Sequence, residues 1–395
     1  MRLLRTVLLT LLVAACASPV ASAAARVETI DTPSRFVDPA KAAFNLPAGA
    51  EPREGRLRAN VWLPAGYDGR RRFPVLYLLH GHGDAYDSWV SPRQGDLAET
   101  AAGLNAIVVM PEAARGWYAD WWEGGKRGRD GRAWERYHLD ELIPLIERRY
   151  RVSGRRRDHA IAGLSMGGLG ALHYAAQRPG YFGSAASFSG AISIERPEWP
   201  TAFDTQGEAH DDVYGDPGDA AFYWQGHNPT AQLPNLRDTR LFVRVGDGTA
   251  DPSRPAELGN WFGALAEIEL RQQAEDFVRA ARATGADVHY EPVAGIHDWP
   301  YWRDALRSAI SWGLFEEVPE APSRWAARTV QQTGRLWDTR FVFARPPEEL
   351  VTFSRDGDRL RIGGTGRVHL AIKGGRRMDV TAPATVTVPP RRPRR

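Results

Sequence analysis

The stretch DHAIAGLSMGGLGALHYAAQRPG (residues 158–180) predicts the centre of the fold. A short apolar, β-like segment leads into GLSMG (163–167), and an Ala/Leu-rich helical pattern follows. This is the G-x-S-x-G pattern, in which a sharp strand-to-helix turn projects a serine hydroxyl above a sheet. A side chain at Gly163 or Gly167 would collide with the neighbouring strand and helix. The pattern predicts that Ser165 is a nucleophile, with the N–H groups of the new helix directed at an adjacent oxyanion.

Strand-like and helical segments alternate on both sides of this stretch. The strand-like segments, several of them apolar runs typical of strands buried on both faces, lie at 57–63, 73–79, 106–110, 185–189, 239–245 and 288–292. Helical patterns lie at 133–150, where Pro144 predicts a kink, and at 259–284 and 299–313. We therefore predict an α/β domain with a mostly parallel sheet and helices on both faces. An aromatic, Gly/Pro-rich insertion occupies 195–232.

Residues 1–25 have the pattern of an export signal. Arg2 and Arg5 precede an apolar run that is too short for an ordinary membrane span. A small-x-small site at 21–23 would release a secreted protein, whereas VAAC (13–16) resembles a bacterial lipobox that would anchor the chain through a lipid on Cys16. Both alternatives predict an extracytoplasmic protein. Cys16 is the only cysteine, so we expect no disulfide in the folded part.

The remaining chain divides by composition. We predict a catalytic domain at 26–315, an acidic, Pro-containing linker at 316–324, a small β-sandwich-like module at 325–390 and a basic tail at 391–395. The net charge is only +3, and much of the arginine lies in short loop runs and in the tail. Because no basic face carries interleaved aromatic residues, we expect no nucleic-acid partner. Contact with a membrane is expected only through a lipid anchor at Cys16.

A serine nucleophile requires a base and an acid behind that base. His297 lies in a loop between a predicted strand and the last helix of the large domain, where the base is expected in the order nucleophile, acid, histidine. Asp247 and Asp251 follow the strand that ends at Val245, and Glu267 lies further along. The residues alone leave these three carboxylates open.

The loop after the strand at 73–79 is expected to complete an oxyanion hole. We predict backbone N–H donors at Met166 and at His82. The spacing His80-x-His82-x-Asp84 also suits a pair of zinc ions, as in metallo-β-lactamase-type hydrolases. That pattern is incomplete here, since Ala85 follows Asp84 directly, and it leaves Ser165 unexplained. We expect no metal and no cofactor.

Taken together, YLLHG (77–81), GLSMGG (163–168) and HDWPYW (297–302) resemble the esterase branch of the α/β-hydrolases, which holds esterase D-like enzymes, feruloyl esterases and secreted mycobacterial mycolyltransferases. WYADWW (117–122), NPT (228–230) and GDGT (246–249) also have counterparts in the mycolyltransferases. The likeness covers about residues 57–313. It implies the α/β-hydrolase fold, with Ser165 as nucleophile and His297 as base.

The resemblance also ranks the acids. It implies Glu267, because the family's glutamate lies ten residues ahead of a phenylalanine that Phe277 matches, whereas Asp251 would match the aspartate of esterase D-like members. Asp247 ranks third. Two departures weaken the case for mycolyl transfer: His80 stands where those enzymes carry an aspartate, and they lack the appended β-module.

The sequence therefore predicts an exported serine esterase or acyltransferase that acts on an acyl-ester small molecule or a glycan ester. Mycolyltransferase-like transfer to a sugar is one alternative, and a non-catalytic carbohydrate-binding or adhesion protein on a hydrolase scaffold is another. The side chains expected to line the substrate cleft are His80, Trp117, Trp121, Trp122 and Trp299.

Overall fold

The computed structural model describes residues 24–42, 56–122 and 131–388. The predicted lipobox, the second cleavage site and the basic tail lie outside the described residues. Among the helices in these ranges, none combines the length and the apolar character needed to cross a bilayer.

A mixed, mostly parallel sheet forms the centre of the large domain. Within the described residues its order is β1-β2-β4-β3-β5-β6-β7-β8, in which β3 to β8 run parallel and β1 and β2 are antiparallel. These strands are β1 Arg26–Asp31, β2 Arg58–Leu63, β3 Val75–Leu79, β4 Ile107–Pro111, β5 His159–Leu164, β6 Ser184–Phe188, β7 Arg240–Val245 and β8 Val288–Pro292. This arrangement confirms the predicted α/β class.

Helices cover both faces of the sheet, as the apolar strands require. Alternate side chains of β3 enter opposite cores: Val75, Tyr77 and Leu79 pack in one, and Leu76 and Leu78 in the other. The helices are α1 Leu97–Thr100, α2 Trp134–Arg136, α3 Ile143–Arg149, α4 Met166–Gln177, α5 Trp199–Gln206, α6 His210–Val213, α7 Ala221–His227, α8 Leu233–Leu236, α9 Trp261–Ala283 and α10 Trp299–Trp312. Side chains of α4 and α9 join the first core, and those of α1 and α10 join the second.

The helical segment at 133–150 differs from the prediction of one kinked helix. A π-helical stretch, Tyr137–Leu142, separates α2 from α3. Pro144 is the second residue of α3, just after this stretch, and the backbone stays right-handed helical from α2 through to α3. The proline therefore lies where the hydrogen-bonding pattern changes from π to α, within one continuous helical run.

The C-terminal module is an antiparallel sheet with its own apolar core. Its strands are β9 Arg324–Thr329, β10 Thr333–Leu336, β11 Thr339–Phe343, β12 Val351–Asp356, β13 Arg359–Ile372 and β14 Arg376–Thr387. β13 is the longest strand of the module and has a register irregularity between Ile362 and Gly366. One half pairs with β12 and the other with β11, so the long strand serves both parts of the module.

The module packs directly on the large domain. Val330 joins the core beside α4, and the Asn235 amide exchanges two hydrogen bonds with the backbone of Arg328, at 2.9 and 2.7 Å. Arg156, from one of the short arginine runs, is only 3% exposed and its guanidinium lies over the Trp337 ring. The burial reflects this contact, since the guanidinium also donates to the carbonyl oxygen of Pro319 in the linker.

Candidate active site

Ser165 occupies the turn between β5 and α4 in a strained backbone conformation. Its φ is 53° and its ψ is −120°, a region that non-glycine residues rarely adopt. A Cβ on Gly163 would lie 2.3 Å from the Gly167 carbonyl oxygen, and one on Gly167 would lie 2.6 Å from the His80 carbonyl oxygen. Both obstacles are backbone atoms, so neither can rotate away. Glycine at both flanks is therefore what allows the half-buried Ser165 hydroxyl to project at the carboxyl edge of the sheet.

Three side chains from distant segments form a hydrogen-bonded line at this edge. His297 Nε2 lies 2.9 Å from Ser165 Oγ, and His297 Nδ1 lies 2.9 Å from Glu267 Oε2. His297 comes from the loop between β8 and α10, and Glu267 from the first third of α9. Glu267 is 1% exposed, so its carboxylate acts on the imidazole with little solvent screening. In the neutral tautomer that fits both contacts, the serine hydroxyl donates to Nε2 and Nδ1–H donates to the carboxylate.

The second oxygen of Glu267 is fixed by two donors that the sequence analysis missed. The Ser189 hydroxyl donates to Oε1 at 2.5 Å, and the Gly246 N–H donates to the same oxygen at 2.6 Å. Ser189 follows β6 and Gly246 follows β7, so both lie at the edge where parallel strands end. That position was readable from the sequence, but nothing in it paired these residues with Glu267.

The two aspartates proposed as alternative acids bind backbone instead. Asp247 accepts from the N–H groups of Thr249 at 2.9 Å and Gly295 at 3.3 Å, which ties its loop to the loop that carries His297. Asp251 accepts from the N–H and the hydroxyl of Ser253. Among the described residues, the carboxylate that hydrogen-bonds the His297 ring is that of Glu267.

The two predicted oxyanion donors lie on either side of the serine. Met166 opens α4 directly after Ser165, and His82 follows β3, the parallel neighbour of β5. A Cβ on Gly81 would lie 3.6 Å from the Cβ of Ser165, so this loop runs alongside the nucleophile.

The His82 imidazole is held by a carboxylate from the insertion. Its Nε2 lies 2.8 Å from Glu208 Oε2, and the Arg115 guanidinium lies 2.9 Å from Glu208 Oε1. Glu208 is 4% exposed and also accepts from the Trp117 indole at 3.4 Å. Nothing in the sequence paired Glu208 with His82, which lies 126 residues before it.

The metal-loop interpretation of His80, His82 and Asp84 does not fit the geometry. His80 Nδ1–H donates to the Gly81 carbonyl at 2.8 Å, and Nε2 accepts from the Ala113 N–H at 3.0 Å. His82 binds Glu208, and Asp84 accepts from the Gly81 N–H. Within the described ranges, the carboxylates and imidazoles close enough together to share an ion belong to a different set.

Most of the side chains expected to line the cleft are buried. His80, Trp117 and Trp121 are 1%, 3% and 8% exposed, so these three pack beneath the surface and offer almost no area to a substrate. Trp122 is half-buried against the Phe222 and Tyr223 rings. Trp299 is half-buried too and packs edge-on against Trp89. Trp117 and Trp121 were expected to contact substrate, but they fill the space under long loops instead.

Comparisons with known proteins agree with this architecture. A model of the esterase family, described as "Putative esterase", matches residues 51–312. Esterase Rv1288 of Mycobacterium tuberculosis is 32% identical over 249 residues, which cover 60% of this chain and 52% of that protein. The chain thus spans about half the length of this curated relative.

Two further relatives extend the comparison. The diacylglycerol acyltransferase/mycolyltransferase Ag85C of Mycobacterium avium is 30% identical over 59% of this chain and 67% of its own length. Among solved structures, the serine hydrolase FphF of Staphylococcus aureus superposes with a TM-score of 0.56 at 18% identity, over 74% of this chain and 100% of that one. At that identity the superposition shows the α/β-hydrolase fold alone.

Proposed function

This chain belongs to the esterase family, and on that premise we propose that it is a serine carboxylic-ester hydrolase or acyltransferase with Ser165, His297 and Glu267 as its triad. The observation that carries the proposal is the continuous line of hydrogen bonds from Ser165 Oγ through the imidazole to Glu267. A nucleophile, a base within hydrogen-bond reach and a third group orienting the base are the geometric requirements of acyl transfer.

The reaction would proceed in two halves. His297 Nε2 takes the proton of Ser165 as Oγ attacks the ester carbonyl, and the same proton then passes to the departing alcohol. Water or a sugar hydroxyl next gives its proton to His297 and attacks the acyl-enzyme, and His297 returns that proton to Ser165 Oγ as the acyl group leaves. Glu267 stabilises the imidazolium in both halves. The N–H groups of Met166 and His82 would bind the oxyanion.

An exposed apolar strip beside His297 favours an ester with a long apolar acyl chain. Trp261, Phe262 and Leu265 at the start of α9 are 70%, 68% and 58% exposed. The strip adjoins the catalytic loop, since the His297 N–H donates to the Gly263 carbonyl at 3.1 Å. Three large apolar side chains exposed within five residues indicate a binding surface. We infer that the acyl chain of the substrate lies along this strip.

The test combines ester hydrolysis with covalent labelling. Purified protein is incubated with p-nitrophenyl esters of increasing chain length and with a serine-reactive phosphonate. We expect one adduct, on Ser165, and loss of activity in Ser165→Ala and His297→Ala, with no effect of EDTA on the rate. Hydrolysis that survives Ser165→Ala would overturn the proposal. Absence of both adduct and turnover would favour the non-catalytic carbohydrate-binding alternative.

The acceptor is tested separately. Trehalose or another sugar is added to the acyl-enzyme reaction, and acylated sugar is sought by mass spectrometry. Acylated sugar would identify a transferase of the kind named for the Mycobacterium avium relative, whereas free acid alone would identify a hydrolase.

We also propose that residues 1–25 direct export. The chain would then be either released by cleavage at 21–23 or anchored by a lipid on Cys16. The support is the positive start, the short apolar run and the single cysteine in the lipobox position. Globomycin, which blocks lipoprotein signal cleavage, separates the two routes: it should cause the precursor to accumulate only if Cys16 is lipidated, and Cys16→Ser should then release the chain from the membrane fraction.

A further inference from the structure

A buried cluster of two histidines and a glutamate lies at the junction of the large domain and the C-terminal module. Glu135 comes from α2, His173 from α4 and His227 from the end of α7. One ligand atom from each lies within 4.8 Å of the others. Their side chains are 3%, 2% and 0% exposed. None of the three takes part in the proposed reaction.

The His227 ring presents an unpaired acceptor to this cluster. Its Nδ1–H donates to the Tyr223 carbonyl at 2.8 Å, so Nε2 carries a lone pair. Nε2 is fully buried with no hydrogen-bond partner among the described residues, and it lies 3.6 Å from Glu135 Oε2. The buried Nε2 thus faces a carboxylate oxygen without forming a hydrogen bond, which is costly in a buried site. A cation between them would remove the cost.

The charge of Glu135 also lacks a close cationic partner. The groups within hydrogen-bond distance of its carboxylate in the described structure are the His173 imidazole and the Gln331 amide, both at 2.9 Å. The neighbouring arginines are engaged elsewhere, Arg136 with Asp120 and Arg178 with Asp140, each at 2.6 Å. A buried carboxylate is stable when it is paired or coordinates a metal.

Gln331 brings a fourth ligand from the module. Its Nε2 donates to Glu135 Oε2 at 2.9 Å. The amide nitrogen and oxygen occupy nearly the same positions after a half-turn of the group, which would direct Oε1 into the cluster. The cluster then offers two imidazole nitrogens, a carboxylate oxygen and an amide oxygen, a set of ligands that suits tetrahedral Zn²⁺.

We propose that Glu135, His173, His227 and Gln331 bind a structural Zn²⁺ ion that fastens the C-terminal module to the large domain. The His227 Nδ1 contact with Tyr223 supplies the outer hydrogen bond usual for a metal-ligating histidine. The Tyr214 and Tyr223 rings pack against His227, which closes the site as in structural zinc centres. His173 lies eight residues along α4 from Ser165, a helical rise of about 12 Å, so the ion would not contact the reacting ester.

The test uses the full chain without a polyhistidine tag. We expect one zinc per chain by elemental analysis, and a tetrahedral d–d spectrum when the protein is produced with Co²⁺ in place of zinc. Gln331→Leu should weaken zinc binding about ten-fold, and Gln331→Glu should retain it. The exposed histidine variant His210→Ala is the control for surface binding and should keep the full zinc content, because His210 binds only exposed aspartates among the described residues.

Several outcomes would overturn the zinc site. The first is wild-type protein that contains no zinc and whose thermal midpoint does not rise with added zinc. The second is an octahedral cobalt spectrum. The third is a loss of zinc from His210→Ala as large as the loss from Gln331→Leu. Removal of His227 can prevent folding, so the cobalt spectrum of the unmutated chain carries the assignment. Ser165→Ala should bind zinc like the wild type, which keeps this test independent of the proposed enzyme activity.

Discussion

The Ser189 hydroxyl donates to Glu267 Oε1 at 2.5 Å and thereby fixes the carboxylate whose other oxygen binds His297. A carboxylate that can rotate would face the His297 imidazole only part of the time. Here the Gly246 N–H provides a second anchor at 2.6 Å. Ser189 therefore acts through Glu267 as a positioning residue, and it touches neither the nucleophile nor the base.

Ser189→Ala should lower kcat about ten-fold. One hydrogen bond to a charged group is worth about 1.5–3 kcal/mol, and only the part of this energy that is specific to the transition state affects kcat. KM for a soluble ester should change little. Ser187→Ala is the matched control, since Ser187 lies two residues earlier in β6, is buried, and its hydroxyl has no partner in the described structure. Equal loss of kcat in both variants would show that the effect is one of packing.

Glu267→Gln should reduce kcat by about 10³–10⁴, because the amide can hold the imidazole in the wrong tautomer and cannot stabilise the imidazolium. Asp247→Asn and Asp251→Asn should change kcat only a few-fold. The measurement is ester turnover normalised to phosphonate-titratable sites. The assignment is wrong if Asp251→Asn proves the more damaging of the three.

The strands and the nucleophile turn were predictable because their signals are local. Apolar runs such as the one ending at Leu79 are typical of strands buried on both faces, and the glycines around Ser165 belong to a five-residue motif with a known turn geometry. The triad acid has no such local signal. Asp247 is close in sequence to the end of β7, yet Glu267 binds His297 because α9 folds back over that edge, a placement set by tertiary packing.

The partners of the oxyanion loop were beyond sequence reasoning for the same reason. Glu208 reaches His82 only because the insertion at 195–232 folds into short helices over the site. The cluster of Glu135, His173 and His227 draws on three helices and has no characteristic spacing. By contrast, His80-x-His82-x-Asp84 has a suggestive spacing, but its side chains turn to different partners.

Gly163→Ala should destabilise the fold by about 1–3 kcal/mol and abolish most ester turnover. The added methyl would lie 2.3 Å from the Gly167 carbonyl oxygen, so the turn that presents Ser165 must shift. Gly154→Ala is the control, because its Cβ would have no atom within 4 Å. The urea midpoint and the ester turnover are measured for both variants and compared with those of the wild type. A Gly163→Ala enzyme with normal kcat would show that the tight elbow is not needed.

Stability should fall below neutral pH in part because of His138. Burial lowers the pKa of His138 to about 3, against about 6.5 in the unfolded chain. Between these values the unfolded chain binds a proton that the native chain does not, so stability decreases with falling pH by up to about 1.4 kcal/mol per unit. Urea midpoints from pH about 7 to about 5 should therefore decline less steeply in His138→Gln than in the wild type. The control variant His210→Gln removes a histidine that pairs with surface aspartates, so it should not reproduce this flattening. Parallel slopes for all three proteins would remove His138 as a cause.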